Sequence, residues 1–171
     1  MAQGYSQMER VDYDDIFALV ARMESIRVLL ALVCHLKFKL YQMDVKTAFL
    51  YGFLKEDVYV AQPKGFIDLH FSDHVLYLKK ALYSLKQALR AWYDRLIQYF
   101  VSHGFIRGKA DQIIFIKRED GELIVAQVYV EDIIFGLTID ELAHRFSKLM
   151  QAEFEMSMIG ELNYFLWLQI H

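Results

Sequence analysis

Proline and cysteine are nearly absent from this sequence: Pro63 and Cys34 stand alone among 171 residues. The scarcity of proline excludes long extended linkers. A lone cysteine excludes an internal disulfide and suits an intracellular compartment, cytoplasmic or nuclear. Long apolar runs are missing too. The longest, Val28–Cys34, is far too short to span a bilayer, so no membrane association is expected. The first residues, Met1–Arg10, are polar and show no export signal. Excess positive charge is also lacking. At a net charge of −3, bulk electrostatics does not drive binding to nucleic acid. Two local basic clusters remain: Lys79, Lys80, Lys86, Arg90 and Arg95, and then Arg107, Lys109, Lys117 and Arg118. The second reads as a solvated face. What the chain has in quantity is apolar surface. Hydrophobic residues make up 56% and aromatics 15%, which implies one folded domain with a real core.

Periodicity sketches the elements. Met1–Asp15 reads as irregular, with acidic residues at Asp12, Asp14 and Asp15. Ile26, Leu29, Leu30 and Val33 recur at helical spacing and predict an amphipathic helix over Glu24–Leu36. Phe38–Asp44 reads as a strand, Lys46–Tyr51 as a turn or helical piece closed by Gly52, and Val58–Gln62 and His74–Lys79 as short strands. Gln87–His103 is the clearest helix, with Trp92, Leu96, Tyr99 and Phe100 on one face and Gly104 at its end. Ile113–Lys117, Glu122–Val130 and Ile133–Leu137 read as strands, and Asp120-Gly121 as a hairpin turn. Asp140–Ala152 is a further helix, and Glu155–Ile159 with Tyr164–Ile170 reads as a last hairpin. This order implies an α+β fold, with helices packed on one face of a mostly antiparallel sheet.

One stretch resists a purely structural account. In Gln127–Phe135, two β-branched and aromatic runs flank a bare acidic pair, Glu131 and Asp132. Adjacent carboxylates repel, and neither flank supplies a cation. A solvated hairpin turn is the bland reading. Favoured two-residue turns want Gly or Asn, however, and Glu-Asp provides neither. A divalent cation would give the pair a purpose, and a two-metal site needs carboxylates from more than one element. Asp44, at the end of a predicted central strand, is the natural third ligand. If strand Phe38–Asp44 lies beside strand Leu123–Val130, three acids converge at one sheet end. The chemistry implied is in-line nucleotidyl transfer.

The blocks around these acids resemble a known family. Tyr129-Val130-Glu131-Asp132 resembles the Tyr-x-Asp-Asp motif of reverse transcriptases. Gln42-Met43-Asp44-Val45-Lys46-Thr47-Ala48-Phe49-Leu50 and Leu82-Tyr83-Ser84-Leu85-Lys86-Gln87-Ala88-Leu89-Arg90-Ala91-Trp92-Tyr93 are similar to two blocks of copia-type retrotransposon polymerases. Val20–Arg27, Phe146–Ile159 and Tyr164–Ile170 match as well, so the resemblance covers nearly the whole chain in order.

The resemblance implies the palm and part of the fingers of a right-hand polymerase over residues 1–171, without thumb or RNase H. It implies an RNA-directed DNA polymerase that uses two Mg²⁺ or Mn²⁺ ions, a primed RNA or DNA template and deoxynucleoside triphosphates. Asp44, Glu131 and Asp132 would be the catalytic and metal-holding residues. Amides near Thr47 and Ala48 would meet the triphosphate. Phe49 stands where the family has the aromatic that closes off the sugar 2′ position. Tyr83 and Ser84 fall in the block that lines nucleotide and template, and the final hairpin corresponds to the primer grip.

The chain also departs from its family. Glu131 replaces an aspartate and moves the carboxylate out by on the order of 1 Å, a misplacement that can cost about a hundredfold in rate. Leu19 and Leu89 stand at proline positions, and Ser84 and Trp167 at glycine positions. These changes, with the absent thumb, imply an impaired polymerase from a truncated copy. The alternatives are a catalytically dead palm-fold remnant that binds nucleic acid weakly, and an unrelated α+β interaction domain whose acidic hairpin is only a turn.

Overall fold

The computed structural model describes residues 4–14, 23–119, 121–165 and 168–170. Asp15, the Asp120 half of the predicted turn, and the substituted positions Leu19 and Trp167 lie outside the described residues. In chain order the elements are α1 (Met23–Leu36), β1 (Lys39–Val45), β2 (Phe53–Ala61), β3 (Val75–Lys80), α2 (Ala88–Ser102), β4 (Ile106–Arg107), β5 (Ile114–Glu119), β6 (Glu122–Tyr129), β7 (Asp132–Leu137), α3 (Asp140–Glu153), β8 (Met156–Glu161), β9 (Tyr164–Phe165) and β10 (Leu168–Gln169). No described helix is long and apolar enough to cross a membrane.

The chain divides into two compact units. One comprises Met1–Ala18 and Ala48–Leu96, the other Leu19–Thr47 and Ile97–His171. The second holds a six-stranded antiparallel sheet in the order β4-β5-β6-β7-β1-β8. Successive strand residues face opposite sides. On one side Leu40 and Ile134 pack with Ile26, Leu29 and Val33 of α1. On the other, Tyr41 stacks on Phe135 with ring centroids 5.6 Å apart, and Phe135 meets Phe146 of α3 at 4.4 Å. Phe100, Phe105 and Phe115 extend this aromatic layer.

Helices therefore cover both faces of the sheet, not one face as the sequence suggested. The reason is legible in β7, where Ile133–Leu137 is buried at every position. A strand that is apolar on both sides needs cover on both. Two pairings also differ from expectation. β1 lies between β7 and β8, with β6 one strand further out. The predicted last hairpin does not form either: β8 completes the edge beside β1, while β9 and β10 pair with each other. Alternating apolar residues mark Met156–Ile159 as strand-like, but alternation does not name the partner. The open edge of β1 supplies it, because its amides and carbonyls need satisfying.

The first unit is built on the β2–β3 hairpin, in register at Val58↔Leu78 and Tyr59↔Tyr77. β2 starts well before the short strand expected at Val58. Val58, Ala81, Leu85, Ala88 and Ala91 form the core beneath it. Gly52 permits a close approach there. A Cβ at this position would lie 2.6 Å from backbone atoms of Ala91 and Trp92, while its carbonyl accepts from the Ala81 amide at 2.9 Å. α2 begins in this unit and ends in the other.

Candidate active site

Asp44 is the next-to-last residue of β1, and Asp132 is the first of β7. The two are direct partners in the antiparallel register. Directly opposed residues place their Cβ atoms about 4.5–5.5 Å apart on the same face. Like charges so placed destabilise a sheet, so folding alone gives no reason for the pair. Gln42, two residues earlier on the same face, donates from Nε2 to Asp132 Oδ1 at 2.7 Å. Asp132 is partly buried, and that burial is the main cause that raises its carboxyl pKa. The Gln42 hydrogen bond opposes the rise, while the charges of Asp44 and Glu131 add to it.

The turn differs from the expected one. Tyr129 pairs with Asp132, so Val130 and Glu131 form the two-residue tip and Asp132 belongs to the strand. Val130 has φ of 54°, in the left-handed region. A β-branched residue there is strained, and such strain gathers at functional sites. The Glu131 carbonyl accepts from the Val45 amide at 3.0 Å, which ties the tip to the end of β1.

The structure thus brings Asp44 and Asp132 together and sets Glu131 on the adjoining turn, within electrostatic reach of Asp132. Among the described residues, no three His, Cys, Asp or Glu side chains lie close enough to share one ion. The donor chemistry of the pair nonetheless suits a hard divalent cation. It offers carboxylate oxygens and concentrated negative charge, and among the described residues no cation offsets the charge on Asp132. Gln42 was not singled out from sequence, and neither was Gln127. Gln127 is 1% exposed, in register with Ile134 one row behind the carboxylates, and its amide has no hydrogen-bond partner among the described residues. A polar residue inside an apolar strand run was the available signal for both. In the other unit, Gln87 is buried, and its amide too has no partner among the described residues.

The expected nucleotide-binding residues fall on both sides of the unit boundary. Thr47 closes the β1 turn with φ of 55°. Ala48 opens a 3₁₀ turn and is fully buried, so only its backbone is available for the expected role. In the first unit, Phe49 and Tyr83 pack ring to ring at 4.9 Å with a 52° tilt. Ser84 follows with φ of 76°. That is a conformation glycine adopts at little cost and a serine does not. Ser84→Gly is therefore expected to stabilise the chain by about 1 kcal/mol, the left-handed penalty less the added unfolded-state entropy. A thermal melt of the variant checks this.

Comparison with known proteins accords with the geometry. A family profile described as "Reverse transcriptase (RNA-dependent DNA polymerase)" matches residues 1–171. The retrovirus-related Pol polyproteins from transposons RE1 and RE2 of Arabidopsis thaliana are each 37% identical to the chain, over 169 and 170 residues and 99% of its length. That from transposon TNT 1-94 of Nicotiana tabacum is 33% identical over 171 residues. The chain spans only 12–13% of the length of these relatives. No solved structure matches it.

Proposed function

Because this chain belongs to the reverse transcriptase (RNA-dependent DNA polymerase) family, we propose that its sheet-bearing unit is a polymerase palm and that the β2–β3 unit is part of the fingers. The activity proposed is RNA-directed DNA synthesis, the addition of deoxynucleoside triphosphates to a primer 3′-hydroxyl on an RNA or DNA template. The observation that carries this reading is the direct pairing of Asp44 with Asp132 at one end of the sheet.

Asp44 and Asp132, joined by Glu131, would hold Mg²⁺ or Mn²⁺. Such ions supply a lowered pKa for the primer hydroxyl and charge neutralisation for the leaving pyrophosphate. The chain's own residues set the geometry. The β1–β7 ladder fixes the spacing of the two aspartates, and Gln42 holds Asp132 by Oδ1. Phe49 and Tyr83, braced against each other, are proposed to line the sugar and base of the incoming nucleotide. Turn amides at Thr47 and Ala48 face the triphosphate, as backbone amides do at anion sites.

Primer extension on an RNA template with Mg²⁺ or Mn²⁺ tests the proposal. Gln42→Leu should lower the extension rate about tenfold, the usual cost of losing a group that orients a metal-holding carboxylate. Its melting temperature at pH 7 should fall by a few degrees, because the ionised Asp132 loses its hydrogen bond. A second reading, a catalytically silent palm that binds nucleic acid weakly, is favoured by the extra methylene at Glu131. Extension that is absent in both the parent chain and the Glu131→Asp variant would support the second reading.

A further inference from the structure

Gln127 lies within β6, on the face of the sheet that Leu40 and Ile134 turn toward α1. Its surroundings there are largely apolar. Ile114 and Ile134 pair with it from the strands on either side, and Val125 and Tyr129 flank it along its own strand. It is 1% exposed, and among the described residues neither its amide nitrogen nor its amide oxygen has a hydrogen-bond partner. A buried amide left in that state costs free energy, so the packing of this face does not account for it.

The register supplies a partner. Ile134 pairs with Gln127 on one side and with Gln42 on the other, so the two glutamines share one row on opposite flanks of β7. Asp132 stands one row nearer the turn on the same face, opposite Tyr129 and Asp44. Each glutamine is therefore a diagonal neighbour of Asp132, at about 7–8 Å. A glutamine can span that diagonal, because Gln42 donates across its own from Nε2 to Asp132 Oδ1 at 2.7 Å. Gln42 takes only one of the two carboxylate oxygens. We propose that Gln127 is a second positioning residue for Asp132: its amide takes the other carboxylate oxygen when Asp132 holds a divalent cation. One glutamine from each neighbouring strand then fixes the plane of the carboxylate. The two oxygens of an ionised carboxylate have about four acceptor sites, enough for both amides and a cation. This role rests on the metal-holding function proposed for Asp132.

Mn²⁺ binding to the whole chain, followed by the electron paramagnetic resonance signal of the free ion, tests the role without any turnover. Asp132→Asn should lose the ion, which locates the site. Gln127→Met keeps the side-chain volume, removes the amide and should bind Mn²⁺ about tenfold more weakly. Without divalent cations it should melt a few degrees higher, because a buried polar group without a partner is gone. Val125→Ala disturbs the same face of the same strand, two residues further from the turn. It should melt lower than the parent and bind Mn²⁺ equally well. Unchanged Mn²⁺ affinity in Gln127→Met, with binding lost in Asp132→Asn, would overturn the role of Gln127 and leave the metal site standing. So would a Gln127→Met chain that melts lower than the parent, since the amide would then serve the fold, or an equal loss of affinity in Val125→Ala. A parent chain that binds no Mn²⁺, or no more than Asp132→Asn does, would overturn the metal site and this role with it.

Discussion

Asp132→Asn should abolish primer extension and, in the absence of divalent cations, raise the melting temperature. The loss follows from the proposed role. Charge neutralisation at a reacting phosphoryl group contributes several kcal/mol, and about 4 kcal/mol is about a thousandfold in rate. The gain follows from the metal-free fold. Asp132 is partly buried opposite Asp44 and next to Glu131, and its pKa is raised. A carboxyl with a raised folded-state pKa favours folding when protonated, and that contribution fades as pH rises through the folded value. At neutral pH the ionised Asp132 therefore costs stability, and the neutral amide removes the cost. The advantage of Asn should shrink as the pH falls through the raised folded-state pKa and be gone below about 4, where the parent carboxyl is protonated in both states. Each kcal/mol corresponds to about 2–4 °C for a chain of this size. Asp44→Asn should lose activity to the same degree. Variants that keep full extension would remove both aspartates from the proposed mechanism. An Asp132→Asn chain that melts lower than the parent at pH 7 would contradict the electrostatic account.

Glu131→Asp should work the other way and raise the extension rate by about a hundredfold. Glu131 occupies the turn tip next to Asp132, with its backbone carbonyl fixed by the Val45 amide. Because the backbone is held, the side chain cannot retreat to offset its extra methylene. Displacement by on the order of 1 Å in a positioned group can cost about a hundredfold. Shortening the side chain restores the reach and leaves the charge unchanged. Comparing single-turnover extension for the two chains at equal Mn²⁺ concentration checks this. An unchanged rate would mean that Glu131 does not approach the reacting groups.

The sequence made some of this legible and hid the rest. α1, α2 and α3 follow from residues such as Ile26, Leu29 and Val33, or Leu142 and Phe146, because helical periodicity is local. Their placement on the sheet is not local. Ile133–Leu137 reads equally well as a strand with one face covered or two, and only tertiary packing decides. Partner choice was hidden for the same reason: nothing in Met156–Ile159 says that it joins β1. The proximity of Asp44 and Asp132 could be suspected from their surrounding blocks, whereas the length of the acidic turn could not. The sequence suggests Glu131-Asp132 as the tip, but the strain falls one residue earlier, on Val130. The role of Gln42 was hidden because a single amide in a strand marks a polar position without naming its partner, and Asp132 lies 90 positions away.

The position of β1 has a consequence for how the chain is made. β5, β6 and β7 are joined by short turns and can associate soon after they leave the ribosome. β1 is synthesised first among the sheet strands, yet its partners are β7 and β8, and Gln42 lies 90 positions from Asp132. At about 5–20 residues per second, translation of that interval takes about 5–20 s. Throughout it, β1 exists as an unpaired strand carrying Leu40, Met43 and Val45, with only α1 already made to cover one of its faces. Pairing over such a separation is also intrinsically slow. The strand that bears Asp44 is thus the segment most exposed to aggregation during synthesis, and it is the last of the sheet to gain both neighbours.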